Sequence, residues 1–144
     1  MRCLCVVYSL STARRIGYVP QMSVFEQIGG EPVVRAVVER FVDRVWDDPI
    51  IGFFFAGKDR ARVKLYEYEH AATVLGAGIR YTGRPIAPLH RALKINAGQF
   101  RRRLAILRQE LERAGLPQDV IDLWLAAQRA MEQQVTDGTD CGPA

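Results

Sequence analysis

The sequence predicts an all-α domain. Three observations carry that expectation: apolar residues recur at three- and four-residue spacing over most of the chain, no stretch alternates long enough for a strand, and Gly, Pro and Asn fall where helices should start or stop. The 144 residues are 49% hydrophobic and 25% charged, which fits one folded domain and excludes a disordered chain. No apolar run reaches the roughly eighteen residues that a membrane span needs, so none is expected.

Residues 1–21 read as an N-terminal extension, disordered or non-native, with the domain occupying 22–135 and a flexible tail over 136–144. The apolar run after Arg2 has no small-residue cleavage site, and Arg14 and Arg15 fall where a signal peptide would be cut. Those arginines supply most of the net charge of +4, so the body is close to neutral. Cys3 and Cys5 lie in the leader and Cys141 in the tail, which is no disulfide framework; a reducing cytoplasm is the expected location.

Val24–Ile28 should form a short helical turn stopped by Gly29 and Gly30. A helix over 31–46 then buries Val34, Val37, Val38, Phe41, Val42 and Val45. Pro32 suits its first turn, where the missing N–H has no partner to lose. Pro49 ends that helix, and Phe53, Phe54 and Phe55 suggest a buried apolar corner. Asp59 caps a third helix to about Leu75 with two stripes. Leu65, Tyr68, Ala72 and Leu75 make one; Val63, Glu67, His70, Ala71 and Val74 make the other, with Tyr66 at its edge. Gly76, Gly78, Gly83 and Pro85 break the pattern, and Pro88 opens a very short helix with Leu89, His90 and Leu93. Asn96 and Gln99 resemble a capping box. The helix they open lines up Phe100, Leu104, Leu107 and Leu111. After Gly115 and Pro117, a last helix repeats Val120, Trp124, Ala127, Met131 and Val135.

His90 is the first candidate for chemistry. In the apolar company of Leu89, Leu93, Ile95 and Phe100, an imidazole is desolvated and held neutral. That suits an axial ligand of haem iron; it equally suits a packed histidine with one satisfied hydrogen bond. Glu67 and His70 give Glu-x-x-His, but a di-iron bundle needs a second copy and two more glutamates. Arg101, Arg102 and Arg103, with Arg108 and Arg113, spread around a helix and are answered by Glu110 and Glu112. They read as a solvated face, not a nucleic-acid patch. Two histidines and three cysteines supply no well-spaced closed zinc site. No phosphate loop or nucleophile elbow is present.

Taken in order, Phe25-Glu-Gln-Ile-Gly-Gly30, Arg40-Phe41-Val42-Asp43-Arg44-Val45, Phe54-Phe55-Ala56-Gly57, Leu75-Gly76, Tyr81-Thr82-Gly83, Leu89-His90 and Ala114-Gly115-Leu116-Pro117 form a specific series. It resembles the truncated haemoglobins, most of all their first group, over roughly residues 23–135. The resemblance implies a globin-like, two-over-two helical sandwich around one haem b. It puts the proximal iron ligand on His90 and a porphyrin-packing aromatic on Phe55. It implies further cofactor contacts at Phe41, Phe54, Val63, Leu89, Leu93, Ile95 and Phe100. Partners for the propionates fall on Lys58, Arg62 and Tyr81. The distal ligand pocket implied in this way holds Val42, Val63, Tyr66, Glu67, His70 and Ala71.

The departures from the family lie on the distal side. Val42 stands where the family usually has a tyrosine, and Glu67 where it often has a glutamine. A missing donor weakens the hold on a polar ligand by about 1.5–3 kcal/mol. Glu67 should then either titrate in an accessible pH range or turn outward, and Tyr66 or His70 could reach the sixth position. The function implied is binding of dioxygen and other diatomic gases such as NO and CO. Nitric oxide detoxification with an electron-donating reductase would extend it. A haem-free, globin-like sensor or interaction domain is the alternative. Nucleic acid is not an expected partner.

Overall fold

Side-chain caps set where three of the described helices begin. The computed structural model describes residues 21–137. Residues 1–20 of the expected leader, with Cys3 and Cys5, and 138–144 of the expected tail, with Cys141, lie outside those residues. Ser23 opens α1 (Val24–Gln27) with a reciprocal box, its Oγ accepting from the Glu26 N–H and Glu26 Oε2 accepting from the Ser23 N–H. Gly29 follows at φ 107°, and a Cβ there would lie 2.7 Å from Val33 Cγ2. Only glycine enters α2 (Gly30–Trp46) by that route.

α2 buries the six residues its spacing selects, Val34 to Val45. Asp48 then binds the Ile50 and Ile51 N–H groups at 3.0 and 3.2 Å, which turns the chain into a 3-10 segment, Gly52–Phe55. Asp59 caps α3 (Arg60–Val74) by accepting from the Arg62 N–H at 3.1 Å. α4 is only Ile86–Arg91, and α5 (Ala97–Arg113) begins at a complete Asn96–Gln99 capping box. α6 (Gln118–Arg129) and α7 (Glu132–Val135) close the fold.

α2 packs on α3 and α5 on α6; the two pairs meet through α2 with α5 and α3 with α6. This is the two-over-two arrangement. Phe41, Phe100, Leu107, Leu111, Trp124 and Leu125 fill its centre and are essentially unexposed. α4 stands aside and rests on α7. The described residues include no strand, only one isolated parallel bridge between Ile95 and Thr136. Beside it the Asp137 N–H donates to the Ile95 carbonyl at 2.9 Å. No described helix is long and apolar enough to cross a membrane.

The structure corrects several details. The phenylalanine corner is not a buried plug: Phe53 is 61% exposed, and only Ile51 beside it is buried. A 3-10 turn presents its three side chains in three directions, so one must face out. Leu65 is exposed, leaving Tyr68, Ala71, Ala72 and Leu75 as the packed face of α3. α4 starts two residues before Pro88, which its first turn tolerates because N–H groups there lack helical partners. The last helix breaks at Ala130 and Met131, which redirects Met131 and Val135. Glu110 does meet Arg113 of its own helix at 3.7 Å, but it is fully buried and binds Arg40 at 3.1 Å and Arg44 at 2.8 Å, joining α5 to α2.

Candidate functional site

The detached α4 leaves a cleft of about 240 Å³ between itself and the helical core. The 3-10 turn contributes Phe54 and Phe55, and α3 contributes Val63, Tyr66, Glu67 and His70. α4 and the residues after it add Leu89, His90, Leu93 and Ile95; Phe100 comes from α5, with Lys58 and Tyr81 also on the lining. Most of the wall is apolar.

His90 is oriented by its own helix. Its Nδ1 lies 2.7 Å from the Ile86 carbonyl oxygen, which can only accept. Nδ1 therefore donates, so in the neutral ring the lone pair is on Nε2, and the residue lines the cleft. A backbone carbonyl behind an imidazole fixes tautomer and ring orientation, as ligating histidines require.

The polar residues of the cleft form one directed chain. Arg103 donates from one terminal nitrogen to Glu67 Oε1 at 2.6 Å and from the other to Gln128 Oε1 at 2.8 Å. With its oxygen so engaged, the Gln128 amide turns its nitrogen toward His70 Nδ1, 3.4 Å away. Gln128 is only 1% exposed, so this orientation is built in. Burial is the main force holding the His70 imidazole below its ordinary pKa; Arg103 acts in the same direction, and Glu67 opposes it. Tyr81 packs against the His70 ring edge and the Tyr66 ring, and burial raises its phenol. Glu69 carries Tyr81's neighbour: its carboxylate accepts from the Thr82 N–H at 2.8 Å and from the Thr82 hydroxyl at 2.9 Å. Glu67 thus neither turns outward nor stands alone in the cleft; Arg103 compensates its charge.

Four expected residues lie elsewhere. Phe41, Val42 and Ala71 are buried in the helical core, and Arg62 is exposed off the lining. Phe41 instead carries the Arg103 guanidinium at 4.8 Å from its ring centre. Sequence reasoning passed over Ile51, Ile86, Gln99, Arg103, Gln128, Met131 and Val135, all of which line the cleft. Met131 and Val135 were visible as apolar repeats but were assigned to an unbroken helix. Arg103 was hidden within a run of three arginines of which only Arg101 is exposed; Arg102 is bound to Asp48 through two nitrogens.

The sequence profile of the family described as bacterial-like globin matches residues 23–137. The group 1 truncated hemoglobin GlbN of Mycolicibacterium paratuberculosis is 30% identical over 116 residues, covering 81% of this chain and 85% of that one. The chain belongs to the truncated haemoglobins. Among solved structures, the 2/2 hemoglobin of a Synechococcus species, in the cyanomet state with covalently attached heme, superposes with a TM-score of 0.68 at 27% identity. That match covers 79% of this chain and 95% of the other. The Fe(III) truncated hemoglobin of Tetrahymena pyriformis, at 20% identity, shares the fold, with a TM-score of 0.74 over 82% of this chain and all of that one. For this truncated haemoglobin, membership implies a haem cofactor and haem-based binding of diatomic gas. The globin fold accounts for the separation of α4 from the four-helix core.

Proposed function

We propose that this truncated haemoglobin holds haem b in the cleft with His90 as the iron ligand, and binds dioxygen, nitric oxide and carbon monoxide. The observation that carries the proposal is the His90 Nδ1 contact to the Ile86 carbonyl, which leaves Nε2 available in an apolar slot. When bound, haem would supply a ferrous–ferric couple and an iron that can take a gas ligand.

The chain's own residues do the rest. Ile86 and α4 aim the imidazole. Phe55, stacked on Trp46 at 5.1 Å between ring centres, gives the porphyrin a braced aromatic edge. Leu89, Leu93, Ile95 and Phe100 exclude water, which strengthens every polar contact inside. Lys58 and Tyr81 are the candidates for the propionates. The Glu67–Arg103 pair keeps an uncompensated carboxylate away from a gas ligand.

Simple ligand binding comes first in this reading; detoxification of nitric oxide, with an electron-donating reductase as partner and the cytoplasm as setting, would extend it. Nucleic acid is no part of this reading: Arg40, Arg44, Arg102 and Arg103 are engaged by carboxylates.

Hemin titrated into the purified protein should produce a Soret band at one equivalent. His90→Ala should shift that band and weaken haem retention, and added imidazole should restore the spectrum. A chain that folds but gives no band at stoichiometric hemin would instead be a haem-free helical sensor or interaction domain.

A further inference from the structure

The cleft contains a cation that the expected ligand pocket did not include. We propose that Arg103 is the hydrogen-bond donor directed at the gas or anion bound in the slot, with Glu67 and Gln128 acting as positioning residues that hold its guanidinium in place. This deepens the haem reading and rests on it.

Three observations support the assignment. Arg103 lines the same cleft as His90, with its side chain 20% exposed. Its contacts with Glu67 and Gln128 occupy two of the five N–H donors of a guanidinium, so three remain to be shared by ligand and solvent. The group is also fixed from three sides: Glu67 on α3, Gln128 on α6 and the Phe41 ring on α2. A donor held in place before the ligand arrives loses little entropy on binding. Val42, at the position where a tyrosine hydroxyl was expected, is buried and carries no donor. Arg103 supplies the missing function from a different helix.

The charge balance defines the ligand class. Paired with Glu67, Arg103 contributes donors but little net field, which suits a neutral gas that becomes polarised. Removing the Glu67 charge while keeping its shape leaves a net cation, which favours small anions.

The test uses the hemin-loaded protein and two probes: the C–O stretch of the carbonyl form and azide affinity of the ferric form. Arg103→Leu should raise the C–O frequency and weaken azide binding about tenfold or more, the range of one charge-assisted hydrogen bond. Glu67→Gln should strengthen azide binding by a similar factor. Arg103→Lys should fall between Leu and wild type. His70→Phe, which removes a second N–H donor from the cleft lining, should move the frequency less than Arg103→Leu does.

If Arg103→Leu fails to fold, Glu67→Gln and Arg103→Lys still decide the matter. An intact Soret band with an unchanged C–O stretch and unchanged azide affinity in the arginine and glutamate variants would overturn the proposal and leave the trio as a structural brace. A stretch that moves only with His70→Phe would assign the donor to His70 instead. Absence of the Soret band would refute the haem reading itself.

Discussion

His70 shows how one amide can decide a side chain's chemistry. Arg103 engages the Gln128 oxygen, so the Gln128 nitrogen faces His70 Nδ1. Nδ1 must then accept, and the ring proton sits on Nε2. His70 thus offers the cleft a donor and no lone pair, which disfavours it as a sixth iron ligand. The sign of its pH effect follows. Burial holds the folded imidazole below its ordinary value of 6.5. Near that value the unfolded chain takes up a proton that the folded chain refuses, so stability falls as pH drops below it, toward the depressed folded pKa. Denaturant titrations at pH 7 and pH 5 should show a larger loss for wild type than for His70→Phe; equal losses would mean that His70 charges freely when folded. At this scale His90 was legible because a short helix between Pro88 and Asn96 isolates it among apolar residues. Arg103 was not, because sequence spacing cannot say which of three adjacent arginines faces inward.

At the scale of elements, caps and breakers were the readable signals. Asp59 and Asn96 cap as their side-chain chemistry requires, Ser23 adds a cap that the spacing did not single out, and Gly29 permits a turn no other residue would take easily. The break between α6 and α7 was not readable: Ala127, Met131 and Val135 keep helical spacing through it, and no Gly or Pro marks it. Glu110 was only partly legible for a related reason. Arg113 on its own helix is a real partner at 3.7 Å, whereas its closer partners lie about seventy positions away on α2. Burial alone would raise its carboxyl pKa, but the bonds from Arg44 and Arg40 outweigh that and hold it below the usual carboxylate value. Its contribution is therefore present above the ordinary carboxylate pKa and is lost as pH falls through the depressed one. Glu110→Gln should cost about 3 kcal/mol in denaturant melts near neutrality, the low end for a broken buried pair because both arginines are partly exposed. The variant should also lose part of the wild type's acid sensitivity. A change below about 0.5 kcal/mol would show that the α2–α5 tie is dispensable.

For the whole molecule, the fold class and the core were predictable because one apolar face per helix dictates how four helices must pair. The cleft was only partly predictable, since its lining comes from pieces scattered between Ile51 and Val135. A cofactor that binds only the folded chain stabilises it by mass action. At haem a hundredfold above its dissociation constant, the melting temperature should rise on the order of 10 °C. His90→Ala should shrink that rise, and an equal rise in both proteins would point to hemin sticking elsewhere.

α4 has no fully buried residue and leans on a four-residue neighbour, α7. Segments without a buried residue open locally at less cost than the core. The part of the protein that would grip the metal is therefore apart from the core that keeps the rest standing. Delivery of the pigment would then ask for movement in that one segment, with the four main helices left in place.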